Sequence, residues 1–385
     1  MPTLFNSKRF HIFAPSIHCS QGGIQLYSAF FLQALQNLYP QSEYDVFLKH
    51  DIELQISSGI NYLPKTHFHF TGSYPLKVRT SFFATEIMYE GFLQRPNLTI
   101  ASHLHFSIAS YFLKRIFGIP YWAFAHGIEA WDIQKPALKT AIHNADLILT
   151  GSSYTRERLL NEEKLDAKKV VILPNTFDSS RFKPALKPDY LLKRHKLKPK
   201  QPVILTVARL SALEGYKGYD QIIRALPQIR QVIPNIHYII VGRGNDSQRI
   251  KELTTELAVQ DCVTLAGFIP DEQLCDYYNL CDVFAMPSKA EGFGMVYLEA
   301  LACGKPVLAG NQDGAISALC DGKLGALVNP DDVEEIAKTL IQILQGYYPN
   351  LLMYQPEQLR QMVIEQFGFE RFQATLAMYL RQHLI

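Results

Sequence analysis

The 385-residue chain has six cysteines, and none of them falls in a Cys-x-x-Cys pair or at a metal-ligand spacing. Cys19, Cys262, Cys275, Cys281, Cys303 and Cys320 include several inside apolar runs, where free thiols act as small buried hydrophobes. A disulfide framework and a zinc site are therefore not expected, and the pattern fits a reducing cytoplasm. No uncharged apolar stretch reaches the roughly 18 residues of a membrane span. The segment 1–10 is polar and does not read as a signal peptide. Charge is scarce and balanced, at 19 % charged residues and a formal net charge of +2, which gives no case for nucleic acid as a partner. There is no repeat of solenoid period. No Gly-x-Gly-x-x-Gly follows a first strand, and Gly242-Arg243-Gly244 lacks the third glycine, which argues against a dinucleotide-dependent oxidoreductase.

What is present is an apolar fraction of 48 % on a chain too long for one ordinary core, so two domains are expected. Short β-rich apolar runs alternate with helical segments, the rhythm of parallel α/β sheets. Strands are expected at 10–13, 44–48, 98–101, 121–124, 147–150 and 170–173, then at 203–207, 237–241, 263–266, 283–286, 306–309 and 325–328. Ile24, Tyr27, Phe31, Ala34, Leu35 and Leu38 fall on one helical face, as a helix packed on a sheet requires. The boundaries expected are a first domain at 1–177, a linker at 178–201 and a second domain at 202–368, with a helix at about 369–385 folding back on the first. The linker is rich in lysine and proline and reads as a solvated segment with a short helix at 190–195, with a patch for an anionic membrane or nucleic acid as the alternative. Segment 78–93 is aromatic; lacking a basic face, it reads as a core-packed helix, with a membrane-lying helix as the alternative.

The densest chemistry lies in Pro287-Ser288-Lys289-Ala290-Glu291-Gly292-Phe293-Gly294-Met295-Val296-Tyr297-Leu298-Glu299, between a strand and a helix. Gly292 and Gly294 let a ligand approach the backbone, and the helix N-terminus offers free N–H groups and partial positive charge suited to phosphate. Glu291 and Glu299 are placed to accept hydrogen bonds from hydroxyls. Upstream, Arg209 follows a strand end and Lys217 precedes the next helix, at the edge where such sheets bind ligands. Both are cations suited to a diphosphate.

Arg209 with Lys217-Gly218, then Val241-Gly242-Arg243-Gly244, Gly267-Phe268, Pro287-Ser288 through Glu299, and Gly304-Lys305-Pro306-Val307 together resemble the group 1, or family four, retaining glycosyltransferases. The resemblance is dense over 177–329 and looser before it. It implies a GT-B fold, with two facing Rossmann-like domains of parallel sheets and a donor site in the cleft between them. It further implies that Glu299 binds the ribose hydroxyls of a nucleotide. Glu291 would hold the donor sugar, with the amides of Gly292, Phe293 and Gly294 and the flanking Met295 and Val296. Arg209 and Lys217 would neutralise the diphosphate, and Gly267, Phe268 and Ile269 would frame the base. In the first half, Gln21-Gly22-Gly23 matches a glycine-rich loop near the phosphates and His126 a histidine against the donor sugar.

The activity implied is transfer of a hexose-type sugar from a UDP- or GDP-linked donor to an acceptor hydroxyl with retention of configuration, without metal or cofactor. Asp51-Ile52-Glu53 is the nearest approach to a metal-binding acidic pair, outside a strand-end setting. Alternatives are a sugar-nucleotide epimerase of the same fold or a non-catalytic scaffold. The acceptor (a glycan, a lipid carrier or a small metabolite), the oligomeric state and peripheral contact with the inner face of a membrane stay open. Two further readings are local: Ser152 and Ser153 precede a helix as N-cap candidates, and Thr176 stands in Pro174–Asp178 where the family has glycine.

Overall fold

The computed structural model describes residues 7–17, 22–53 and 64–384; Cys19, Gln21 and most of the polar N-terminal segment lie outside them. Two compact units form, one from Met1–Thr176 with Phe369–Ile385 and one from Phe177–Gly368.

The first unit is built on strands β1 (Arg9–Ala14), β2 (Glu43–Leu48), β3 (Thr66–Phe70), β4 (Leu98–Ala101), β5 (Tyr121–Ala125), β6 (Leu147–Thr150) and β7 (Val170–Ile172). They pair in parallel in the order β3-β2-β1-β4-β5-β6-β7. Helices α1 (Gly23–Leu38), α2 (Leu76–Gln94), α3 (Ser107–Phe117), α4 (Pro136–Asn144) and α5 (Ser153–Glu163) connect them. The central strands are buried throughout, which explains their unbroken apolar runs. Strand β3, Thr-His-Phe-His-Phe, is only partly buried at the sheet edge and so lacks the continuous apolar run that marks the buried strands.

On α1, Tyr27, Phe31, Ala34 and Leu35 enter the core while Ile24 and Leu38 sit at its margin. The chain's last helix, Phe369–His383, buries Phe372, Leu376 and Leu380 in the same core, and its Tyr379 hydroxyl donates to the Ile172 carbonyl (2.9 Å). Ser152 caps α5 by accepting from the Thr155 N–H at 3.2 Å.

Helix α2 departs from expectation. Only Phe83, Ile87 and Gly91 are buried; this four-residue spacing makes a narrow inner stripe, and Gly91 lets Leu113 of α3 approach. Val78, Phe82, Tyr89 and Phe92 occupy a second stripe that is exposed, with Tyr89 at 60 %. The segment has apolar residues to spare beyond what one buried face accommodates.

The second unit comprises α6 (Asp189–Arg194), β8 (Val203–Val207), α7 (Tyr219–Val232), β9 (His237–Val241), α8 (Ser247–Glu256), β10 (Val263–Gly267), α9 (Asp271–Leu280) and β11 (Val283–Met286). It continues through α10 (Met295–Ala302), β12 (Val307–Gly310), α11 (Ala315–Ala318), β13 (Ala326–Val328), α12 (Val333–Leu344) and α13 (Pro356–Phe367). All pairings are parallel, in the order β10-β9-β8-β11-β12-β13. Apolar cores cover both sheet faces. Connections run to opposite sides of β8, so the topological switch point lies between β8 and β11, where such sheets bind ligands.

Segment 178–201, expected as a solvated linker, belongs to this unit: Phe182, Leu191 and Leu192 are buried in its core. Lys187 bonds the Asp282 carboxylate at 2.6 Å, so part of the lysine-rich composition serves packing rather than solvation.

Candidate functional site at the switch point of the second sheet

The loops leaving β8 and β11 carry the residues singled out in the sequence. After β8, a short 3-10 segment, Ala212–Lys217, ends at Gly218, whose φ is +76°. A Cβ on Gly218 would fall 2.1 Å from the Pro287 carbonyl oxygen, so only glycine lets the two loops meet there. The Lys289 N–H also donates to the Tyr216 carbonyl at 3.0 Å, tying the loops together.

That junction brings Lys217 Nζ into a direct ion pair with Glu291, both side chains being 14 % exposed. Burial pulls the Lys217 ammonium toward neutrality, but Glu291, followed by Tyr216, more than offsets it, and its pKa is raised. The Tyr216 ring lies 5.2 Å from the same ammonium. Glu214, which sequence reasoning missed, bonds Arg209 at 2.5 Å and approaches Lys217 at 4.0 Å. Arg209 is 79 % exposed beyond this pair. Two cations and two carboxylates thus form a formally neutral cluster, with the arginine presented to solvent.

The β11–α10 loop is held from beneath by Asp313, a second residue without a sequence signal. This buried carboxylate accepts from the Ser288 hydroxyl (2.6 Å), the Glu291 N–H (2.7 Å) and the Ala315 N–H (2.9 Å). Burial lifts its pKa to about 6, against the hydrogen bonds that lower it. Gly294, at φ +88°, caps α10, and a Cβ there would strike the Tyr297 ring at 2.4 Å. Phe293 turns away into the core against Phe367, with ring centroids 5.5 Å apart, leaving its backbone for any ligand. Met295 is buried, and Gly292 and Val296 are partly exposed at the helix start.

Glu299 lies one turn inside α10 and is 7 % exposed. The Tyr278 hydroxyl of α9 donates to its Oε2 at 2.6 Å, while Oε1 takes no hydrogen bond among the described residues. Burial pushes its pKa up to about 7, with Tyr278 and Arg181 opposing. At the end of β10, Gly267 adopts φ +74° and accepts from the Gly242 N–H (2.8 Å). Phe268 is half exposed beneath the Arg243 guanidinium at 5.0 Å, and Ile269 packs at the core margin. Arg243 adds a cation–π partner to this corner.

His126, Gly22 and Gly23 belong to the first unit. Gly22 is the exposed cap residue of α1 and Gly23 its first helical residue. His126 follows β5, and its Nε2 lies 2.7 Å from the Ser102 carbonyl. A carbonyl only accepts, so Nε2 carries hydrogen and Nδ1 is the atom left for a ligand. His103, also missed, sits beside it with ring centroids 6.5 Å apart, and burial lowers its pKa to about 4. Asp51 accepts from the Ser16 hydroxyl and from the Ile17 N–H (2.8 Å).

Two parallel sheets of this order, each with its loops gathered at the carboxyl edge, define a GT-B fold of two Rossmann-like domains. Residues 190–362 match the family described as glycosyl transferases group 1, and residues 25–181 match glycosyltransferase family 4. The chain is 32 % identical over 272 residues to a GDP-mannose-dependent alpha-(1-6)-phosphatidylinositol monomannoside mannosyltransferase of Mycobacterium tuberculosis, covering 67 % of this chain and 69 % of that one. The enzyme of the same name from Mycolicibacterium smegmatis is 34 % identical over 233 residues, and there the match spans 58 % of this chain and 60 % of the relative's length. Sucrose-phosphate synthase of Thermosynechococcus elongatus has the same fold, with a TM-score of 0.79 at 22 % identity over 97 % of this chain and 98 % of that one. The chain belongs to the group 1 glycosyltransferases.

Proposed function

We propose that the protein transfers a hexose from a nucleoside-diphosphate sugar to an acceptor hydroxyl, with retention of anomeric configuration. The observation that carries this reading is the Arg209–Glu214–Lys217–Glu291 cluster beside the start of α10. An incoming diphosphate displaces the carboxylates from the two cations and draws further stabilisation from the helix N–H groups. Glu291, released from Lys217, then accepts from donor-sugar hydroxyls, and Glu299 Oε1 accepts from the ribose.

In the transfer step, the acceptor oxygen bonds to the anomeric carbon as the bond from that carbon to the phosphate oxygen breaks. The acceptor proton passes to the departing phosphate on the same face. The protein acts by positioning and by stabilising leaving-group charge, and Arg209 and Lys217 supply that charge without a metal ion. GDP-mannose is the first donor to test, because the similar mannosyltransferases are GDP-mannose-dependent.

For the acceptor, the exposed stripe of α2 favours a lipid carrier over a soluble metabolite. Its two carboxylates are engaged, Glu86 with His69 at 3.2 Å and Glu90 with Gln94 at 2.6 Å. Lys77 at the start of α2 and Arg95 just past its end are exposed, cations that an anionic lipid surface would attract although the helix has no basic face of its own.

Calorimetric titration with UDP, GDP and ADP, beside Glu299→Ala, tests the donor reading. Selective binding of one nucleotide, weakened by the substitution, supports it, and no binding of any refutes it. Incubation with the sugar nucleotide alone separates the epimerase alternative, which converts the donor without an acceptor.

A further inference from the structure

Behind the Tyr278–Glu299 hydrogen bond lies a pair of thiols that the proposed chemistry does not use. Cys275 of α9 and Cys303, the residue that closes α10, have their sulfurs 3.8 Å apart. Cys275 stands one turn before Tyr278 on α9, and Cys303 stands one turn after Glu299, whose carbonyl accepts from the Cys303 N–H at 3.1 Å. The two sulfurs and the two ligand-side groups thus span the same pair of helices.

The two thiols differ in environment. Cys275 is partly exposed; its sulfur accepts from the Asn279 side chain at 3.5 Å. The hydrogen bond from Cys303 favours the Cys275 thiolate against burial, and its pKa is lowered. Cys303 is 1 % exposed, and its thiol is held protonated by that same hydrogen bond and by burial. A partly exposed, thiolate-prone sulfur in contact with a buried resolving thiol is the arrangement of a reactive dithiol. Cys262 and Cys320, by contrast, have no sulfur neighbour among the described residues, and Cys281 is fully buried.

We infer that Cys275 and Cys303 form a thiol–disulfide switch, closed by low-molecular-weight disulfides of the glutathione class, that sets the affinity of the adjoining nucleotide site. The Cys275 thiolate attacks one sulfur of oxidised glutathione, forming a mixed disulfide and releasing one glutathione thiolate. Cys303 then loses its proton and attacks the Cys275 sulfur, releasing the second glutathione. Two protein thiols are oxidised and one small disulfide is reduced to two thiols. Closure from 3.8 Å to a disulfide bond of about 2.05 Å draws α9 toward the end of α10 and shifts Tyr278 against Glu299. The effect on affinity rests on the donor-site reading above, whereas the bond itself does not.

The test equilibrates the full chain in oxidised and reduced glutathione mixtures, then maps peptides by mass spectrometry and measures nucleotide binding by calorimetry. The expected result is a linked peptide pair containing Cys275 and Cys303, two hydrogens lighter than the reduced pair. Nucleotide affinity should fall by on the order of tenfold, the scale of one displaced hydrogen bond, and dithiothreitol should restore it. Cys275→Ser should bind nucleotide with an affinity indifferent to glutathione, whereas Cys303→Ala, which keeps the attacking thiol but not the resolving one, should hold a glutathione adduct on Cys275 and form no linked peptide. In the wild-type chain, a stable glutathione adduct on Cys275, no linked peptide, or a linked protein with unchanged affinity overturns the switch. A reduced protein that binds no nucleotide overturns the donor-site reading instead, and the linked peptide still decides the dithiol.

Discussion

Lys217 and Glu291, 74 residues apart in sequence, meet in an ion pair from which water is largely excluded. The pair joins the loop after β8 to the loop after β11 and so spans the switch point. Its partners are the two residues the proposed reaction asks to separate when a diphosphate sugar arrives. On the proposed reading, Glu291 occupies the place beside the Lys217 ammonium that a donor phosphate would take.

Neutralising one partner should separate function from folding. Glu291→Gln leaves Lys217 with the more distant Glu214, so we expect stability to fall by about 1–3 kcal/mol, as when a buried charge loses its direct partner but keeps a weaker one. Turnover should fall by at least about 100-fold, the scale of a lost transition-state contact. Lys217→Met should lose turnover similarly, and its diphosphate affinity should drop where that of Glu291→Gln is retained. Urea unfolding with steady-state kinetics on both variants checks this; equal diphosphate affinity in both refutes the division of roles.

The carboxyl of Glu299 gives a pH dependence with a defined sign. Its folded pKa is raised by burial from the ordinary 4.5 to about 7, so the folded protein holds this proton more tightly than the unfolded chain. Between those values stability should fall as pH rises, by roughly 3 kcal/mol in all. Asp313, raised to about 6, adds a slope of the same sign over a lower window. Glu299→Gln should remove its share, which unfolding midpoints at pH 5 and pH 8 will measure. Nucleotide affinity should run the other way, strengthening above pH 7 as the ionised carboxylate becomes available to the ribose. An affinity flat across that range counts against Glu299 as the ribose acceptor.

Gly218 tests whether the loop junction matters more than its charges. Alanine there combines a left-handed backbone with a Cβ 2.1 Å from the Pro287 oxygen, so the loops must part. Gly218→Ala should lose stability by about 1–3 kcal/mol and lower kcat by more than that loss explains, because Lys217 moves with its neighbour. Gly346, also at positive φ but with open space around its Cβ position, supplies the control. Gly346→Ala should cost only the backbone term and leave kcat unchanged.

The parts of this architecture that were legible in the sequence share a physical basis. The buried strands of both sheets announce themselves because burial on two faces demands continuous apolar runs, and α1 because one face is buried and the other wet. The turn from β11 into α10 was visible because close loop packing needs glycine. Strand β3 was not, since an edge strand of His and Phe lacks the composition that marks burial. Glu214 and Asp313 were missed because their roles arise from long-range loop contacts that no local pattern encodes. The Cys275–Cys303 contact has the same origin. Helix α2 misled because aromatic content signals burial in general but does not say which of two stripes the fold chooses.

That second stripe leads to the last prediction. Val78, Phe82, Tyr89 and Phe92 run along one side of α2, and Arg95 lies over the Phe117 ring at 4.4 Å at its end. If the stripe seats on lipid, the protein should co-sediment with vesicles containing phosphatidylserine or phosphatidylinositol and much less with pure phosphatidylcholine. Added salt should weaken the binding, because exposed cations contribute on the order of 1 kcal/mol each near an anionic surface. Phe82→Ser with Tyr89→Ser should abolish co-sedimentation while leaving the melting temperature nearly unchanged, since neither side chain is part of the core. Nucleotide binding by the double variant should persist, as the substitutions lie in the other unit. If the wild-type protein ignores anionic vesicles but forms a dimer that the same substitutions dissolve, the stripe is a protein interface, and a soluble acceptor becomes the better reading.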